Sequence, residues 1–227
     1  MKISVVIPAY NEADIISTTI RTVQQRSNSI HEIIVVDGRS NDQTVGLAKK
    51  GGARVVISPG KGRAHQMNYG ARQASGEILY FLHADSLPPL NFDRKIKRAF
   101  PRGYTAGCFQ LAFDSDSVLL DIYAWFTRFD VDAFRFGDQS LFISREAFWD
   151  VGGFREDHLV MEDNEIVCRI KRHFSFTILD DKVETSARAY ERGGVFRLQL
   201  VFLIIVILYH CGVRQEVLGH IKKRALK

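Results

Sequence analysis

An α/β fold with a mostly parallel central sheet flanked by helices is the class this sequence predicts. Short apolar runs rich in Val and Ile occupy residues 3–7, 33–36, 55–57 and 78–82. Helix-length amphipathic stretches separate them, which is the rhythm of βαβ units. Three of the runs close on a turn-forming or acidic group: Pro8-Ala9, Asp37-Gly38 and His83-Ala84-Asp85. Right-handed crossovers bring such strand ends to one edge, where open sheets bind ligands.

The elements follow in order. Residues 3–7 read as a buried strand ended by Pro8, and Asn11 is placed to cap a helix running to about Gln25. The strand at 33–36 is followed by Ser40 and Gln43, spaced as a capping box for a helix through Lys50 that Gly51-Gly52 ends. A third strand, 55–57, leads to a helix over 64–75, and 78–82 is the fourth strand. Beyond Asp85 the pattern loosens. Helices are expected at 92–100, 118–129, 145–151 and 162–173, and strands at 107–113, 141–143 and 176–179. No linker divides the chain, so residues 1–194 read as one domain and 195–227 as an apolar helix with a basic tail.

Composition narrows the class. The chain has 227 residues, 46% of them apolar, enough for a sizeable core. Its three cysteines, Cys108, Cys168 and Cys211, are widely spaced and form neither a zinc pattern nor a disulfide framework. A reducing, cytoplasmic setting is expected. Met1-Lys2 leads straight into the first strand, so no signal peptide is expected. The net charge of +5 is concentrated after residue 213, where Arg214, Lys222, Lys223, Arg224 and Lys227 face only Glu216. The rest is nearly neutral, which argues against nucleic acid as a partner.

The motifs suggest chemistry, each with a plainer reading beside it. Glu12 in a first helical turn gains from the helix dipole, but it also stands beside an exposed turn suited to a base or ribose. Asp37 is a turn former, or an acceptor for base or ribose hydrogens. The Gly-x-Gly-x-x-Gly fingerprint is absent after the first strand, which argues against a nicotinamide or flavin enzyme. Gly60-Lys61-Gly62-Arg63 precedes a helix; flexible glycines, two cations and a helix amino terminus suit a diphosphate. Arg63, Gln66, Met67 and Gly70 share one helical face. In extended backbone His83 and Asp85 point the same way, so both can approach one hard cation whose other ligands are diphosphate oxygens. Glu162-Asp163 starts a helix, where acids are favoured in any case, and can also supply a general base.

Taken together, the motifs resemble the family 2 glycosyltransferases, inverting enzymes with the Rossmann-like GT-A fold. The resemblance covers about residues 3–170 and looks like a short, single-domain bacterial type. Pro8-Ala9-Tyr10-Asn11-Glu12 matches the opening motif, and Asp37-Gly38-Arg39-Ser40-Asn41-Asp42-Gln43-Thr44 resembles Asp-Gly-x-Ser-x-Asp-x-Thr. His83-Ala84-Asp85 stands at the Asp-x-Asp metal motif, and Glu162-Asp163 matches the motif that carries the base. The resemblance implies that Pro8, Ala9, Tyr10, Glu12, Asp37, Arg39, Lys61, Arg63 and Gln66 line the nucleotide. It implies Asp85 and His83 for Mn2+ or Mg2+, Asp163 as base and Glu162 as its neighbour. Asp138 and Gln139 resemble an acceptor-side loop, and Arg188 a phosphate contact. The implied reaction is hexosyl transfer from a nucleotide sugar to a hydroxyl acceptor, free or lipid-linked. Because His83 replaces an aspartate, either the site is softened towards Mn2+ or Asp85 is the sole direct ligand. Two rivals are a nucleotide-sugar-binding module without turnover and a sugar-phosphate nucleotidylyltransferase. The second needs a glycine-rich, arginine-containing loop where Pro8-Ala9-Tyr10-Asn11-Glu12 stands.

Residues 200–209 are ten consecutive apolar residues bracketed by Arg197 and Arg214. A membrane span needs about 20. The segment is therefore either a core helix, or a contact with the inner face of a cell membrane or with a second copy in a homodimer.

Overall fold

The computed structural model describes residues 1–132 and 137–225; Lys227 of the basic tail lies outside them. The first half is a regular α/β alternation: β1 (Ile3–Ala9), α1 (Ile16–Arg26), β2 (Glu32–Asp37), α2 (Thr44–Lys50), β3 (Arg54–Ile57), α3 (Arg63–Gln73) and β4 (Ile78–Phe81). The second half comprises β5 (Ser86–Leu87), α4 (Phe92–Ala99), β6 (Ala106–Phe113), α5 (Val118–Phe126), β7 (Leu141–Ser144), α6 (Arg145–Asp150), α7 (Glu162–His173), β8 (Phe176–Thr185), α8 (Arg188–Gly193), α9 (Val195–His210) and α10 (Gln215–Ala225). The eight strands form one sheet in the order β3-β2-β1-β4-β7-β6-β8-β5. Strands β3, β2, β1 and β4 are mutually parallel, β7 is antiparallel to both its neighbours, and β8 is parallel to β6. The sheet is thus mixed, with its parallel half at the amino-terminal side.

Alternation along the strands explains the two cores. Val5, Ile7, Val35 and Tyr80 face one layer with Ile16, Ile20, Phe92 and Ile96 of α1 and α4. Val6, Ile34, Val36, Leu79 and Phe81 face the other, against Met67 and Ala71 of α3 and Ile166 and Ile170 of α7. A sheet covered on both sides is why its strands read as unbroken apolar runs.

The first two helices start later than expected. Asn11 caps nothing: its φ is 55°, and its side chain accepts a hydrogen bond from the Asn41 amide at 2.9 Å. Ser40 accepts from the Asn11 amide at 2.9 Å in place of forming a capping box, and Asp42 accepts from the Thr44 amide at the start of α2. The polar residues after β1 and β2 therefore lash two loops together. Strand β8 is longer than residues 176–179 because the sheet bulges: Phe109 pairs with Leu179 but Gln110 with Lys182. The polar Asp180-Asp181 read as a strand end and is an extra loop of strand.

The carboxyl-terminal hairpin packs on this body. Leu198 of α9 joins the first core, and Ile205 packs with Val160 and Leu218. Phe196, Leu200, Leu203, Ile204 and Ile207, on the opposite face of α9, are exposed. Among the described residues no helix is long and apolar enough to cross a membrane.

Helix α3 sits close to the sheet because Gly70 has no side chain; a Cβ there would lie 2.4 Å from Val6 Cγ1 and 2.8 Å from Val36 Cγ2. Gly70→Ala is expected to destabilise the fold by about 1–3 kcal/mol through overpacking, measured by urea unfolding. An unchanged midpoint and slope would show that α3 can move away freely.

Candidate functional site

The carboxyl ends of β1, β2 and β4 carry the residues that the sequence singled out. Pro8 and Ala9 are the last buried residues of β1 and pair with Val36 and Asp37 of β2. Tyr10 is 55% exposed just beyond them. Asp37 is buried, and its Oδ2 accepts from the amides of Arg39 and Ser40 at 2.9 and 3.0 Å. Its other oxygen, Oδ1, is buried with no hydrogen-bond partner among the described residues. Arg39, exposed with φ 70°, donates to the Pro59 carbonyl, and Lys61 is exposed in the loop before α3.

Gln66 lies beneath these turns. Its Nε2 donates to the carbonyls of Ala9 and Val36, each at 2.8 Å, and the residue is 6% exposed. It braces the ends of β1 and β2 from below. Gln139 is buried likewise, and its amide lies 3.3–3.4 Å from the Thr127 and Phe109 carbonyls. Both amides are occupied by backbone.

A charged group fills the centre. Arg63 Nη1, at the start of α3, is 3.6 Å from Glu162 Oε1, 3.5 Å from Asp163 Oδ2 and 3.4 Å from His83 Nε2. His83 Nδ1 lies 3.2 Å from Asp138 Oδ1. Burial disfavours the charge of Arg63, but Glu162, Asp163, Asp138 and Asp85 outweigh it and hold the guanidinium firmly protonated. Burial and the neighbouring Glu162 charge raise the Asp163 carboxyl above its ordinary value, against the pull of His83 and Arg63. Burial would raise Asp138 too, yet its hydrogen bond to His83 and the charges of His83, Arg63 and Lys222 hold it low. Glu12 is raised by burial and by the Asp85 charge, although Arg188 Nη2 stands 3.3 Å from its Oε2.

Asp85 is half-buried, and its carboxylate accepts no hydrogen bond from the described residues. Among the described residues no three His, Cys, Asp or Glu are grouped to hold a metal ion by themselves. A free, hard oxygen donor at this edge nonetheless suits a cation that takes its remaining ligands from a diphosphate. His83 fits less simply, since its Nδ1 already faces Asp138 and its Nε2 faces Arg63.

A cavity of about 220 Å³ opens onto this group. Arg63, Asp85, Asp138, Glu162 and Asp163 line one wall. Tyr190 of α8, Phe202, Ile205 and Val206 of α9, and Lys222 of α10 line the other. No motif in the sequence marked this second wall. Its only signal was the apolar run at 200–209, whose inward side supplies three of the four aliphatic and aromatic lining residues just named on α8 and α9.

The comparisons with known proteins agree with this architecture. The model of glycosyl transferase family 2 matches residues 4–157. The chain therefore belongs to glycosyl transferase family 2. Over 98 residues it is 36% identical to the glucosyl-3-phosphoglycerate synthase of Mycobacterium tuberculosis, covering 38% of this chain and 30% of that one. Over 94 residues it is 33% identical to glycosyltransferase AglE of Haloferax volcanii, covering 38% and 31%. The aligned part is about a third of the length of these curated relatives. In structure it resembles the mannosyltransferase PcManGT of Pyrobaculum calidifontis, solved with GDP-Man and Mn2+, with a TM-score of 0.71, 19% identity and coverage of 99% and 69%. S. aureus TarS 1-349, solved with UDP-GlcNAc, gives 0.68, 16%, 92% and 67%. These neighbours are GT-A glycosyltransferases, and the fold here is of that kind.

The bracing role of Gln66 is open to test. Gln66→Leu strands two buried carbonyls and is expected to cost about 1–3 kcal/mol by chemical denaturation. A variant as stable as the parent would dismiss the brace.

Proposed function

We propose that the chain transfers a sugar from a nucleotide diphosphate sugar to a hydroxyl acceptor, with inversion at the anomeric carbon. The observation that carries this reading is the convergence of Asp85, Arg63 and the Glu162-Asp163 pair on one cavity at the strand edge of a family 2 fold. Asp37 Oδ1, buried with no partner among the described residues, accepts from the base or ribose, with Pro8, Ala9, Tyr10, Glu12 and Arg39 around it. Gln66 supports that surface from beneath. Lys61 and Arg63 offer positive charge to the diphosphate, with Arg188 as a further contact. Asp85, with His83 beside it, would hold Mn2+ or Mg2+, which would supply neutralisation of the departing diphosphate.

Asp163 is the base. Its raised carboxyl suits proton acceptance better than an ordinary aspartate does. The acceptor hydroxyl gives its proton to Asp163, and its oxygen attacks the anomeric carbon from the face opposite the leaving group. The carbon–phosphate oxygen bond breaks, and the nucleoside diphosphate leaves with the electron pair. Glu162 and Arg63 hold Asp163 in position, and Asp138 with Gln139 forms the acceptor-side turn.

The outer face of α9 contacts a bilayer and brings a lipid-linked acceptor to the cavity. Phe196, Leu200, Leu203, Ile204 and Ile207 of α9 are exposed, as are Ile122, Trp125 and Phe126 of α5, which packs against α9. Arg128 stacks over Trp125, and Arg197 stands exposed beside Phe196, so cations rim the apolar face as at an anionic lipid surface. The inner side of the same helix lines the cavity.

Two experiments test these statements. A thermal-shift screen of UDP, GDP, CDP and dTDP with Mn2+, Mg2+ or chelator should give a metal-dependent rise with one base. Asp163→Asn should keep that rise and lose sugar transfer; full transfer by this variant would remove the base assignment. In flotation with phosphatidylglycerol–phosphatidylcholine vesicles, the parent should co-float and a Leu203→Glu, Ile207→Glu variant should not. A parent that stays at the bottom and elutes as a dimer broken by the same changes would replace the bilayer with a second copy.

A further inference from the structure

The last helix contributes a cation to the cavity that no other contact accounts for. Lys222 lines the cavity from α10. Its position is fixed by packing: Leu218 and Ala225, at i−4 and i+3, are both buried, so Lys222 lies on the inward face between them. The next residues, Lys223 and Arg224, are exposed. Among the described lining residues the other cation, Arg63, is engaged by Glu162 and Asp163. Lys222 has no acidic group within ion-pair distance among the described residues. Its ammonium feels Glu162, Asp163 and Asp138, but burial and the Arg63 charge act against it and lower its pKa. A partly buried ammonium with no ion-pair partner among the described residues is unfavourable unless an anion meets it.

We propose that Lys222 is a phosphate-binding group of this cavity, so that α10 completes the substrate site. This deepens the glycosyltransferase reading and rests on it. The ligand chemistry is a phosphate oxygen, which has two sources: the diphosphate of the donor, or a phosphate carried by the acceptor. Tyr190, Phe202, Ile205 and Val206 beside Lys222 give the second source an apolar surface on which a hydrocarbon portion lies.

The test uses the full chain and calorimetric titration. One arm titrates UDP, GDP, CDP and dTDP with Mn2+ into the parent, Lys222→Gln, Lys222→Arg and the exposed control Lys223→Gln. The other arm titrates decyl phosphate, with decanol as neutral control, into the same proteins saturated with the nucleotide that binds. Lys222→Gln should lose about tenfold or more in one arm, as expected for a charged hydrogen bond. Lys222→Arg should recover most of the loss, and Lys223→Gln should match the parent. Loss in the nucleotide arm assigns Lys222 to the donor, and loss in the decyl phosphate arm assigns it to the acceptor. Lys222→Met, which retains most of the apolar stem, replaces Lys222→Gln should the latter melt early. Parent-like affinity of the variants in both arms overturns the role of Lys222 and leaves the glycosyltransferase reading intact. A parent that binds no nucleotide removes both.

Discussion

The guanidinium of Arg63 is the element on which the site depends. It stands at the first turn of α3 and meets Glu162 and Asp163 at the first turn of α7 and His83 beyond β4. Two acids on one helical turn, with Asp138 and Asp85 close by, would repel one another in a partly dry cleft. One cation among them lets the acids stay close without all of them taking up protons. The compensation is partial, because Asp163 still holds its proton more tightly than an exposed aspartate would. The residual imbalance makes a carboxylate ready to accept a proton.

The site is also where the backbone is least relaxed. Among the described residues, Asn11, Arg39, Asn91, Ser140 and Met161 are the non-glycine residues with positive φ. Asn11 and Arg39 follow β1 and β2, Ser140 precedes β7 and Met161 precedes α7. Such conformations cost on the order of 1 kcal/mol each, and surrounding contacts maintain them. Asn11 is held by the Asn41 and Ser40 hydrogen bonds, and Arg39 by the Asp37 carboxylate. The loops that carry the candidate nucleotide residues are thus fixed by polar side chains that local sequence rules would assign to helix caps.

Much of the parallel half was legible because its signals are local. A strand buried on both faces is apolar in the main, and a turn at its end must be small or polar, so Ile3–Ala9, Glu32–Asp37 and Ile78–Phe81 showed themselves with their turn-forming or acidic ends. The second half was harder because its pairings are remote in sequence. Strand β8 takes its register from β6, some seventy residues earlier, and absorbs Asp180-Asp181 as a bulge that looks like a turn. The short β5 exists only because Ser86 meets Thr185. Gln66 and Gln139 look like site residues in a string of letters; only the fold reveals that backbone carbonyls occupy their amides. Lys222 was hidden among surface-type basic residues, because whether it points inward depends on Leu218 and Ala225 finding cover.

The position of α10 in the chain sets an order of assembly. Strands β1 to β4 pair with one another within residues 3–81, although β7, α4 and α7 later complete their cover. The cavity needs residue 222. A chain emerging from the ribosome can therefore pair its parallel strands while α9, with its apolar run at 200–209, is still without its partner α10. Until the two helices close on each other and on Val160, the growing protein carries a sticky, incomplete cleft. This late interval is when a chaperone or a membrane surface competes most strongly for the chain.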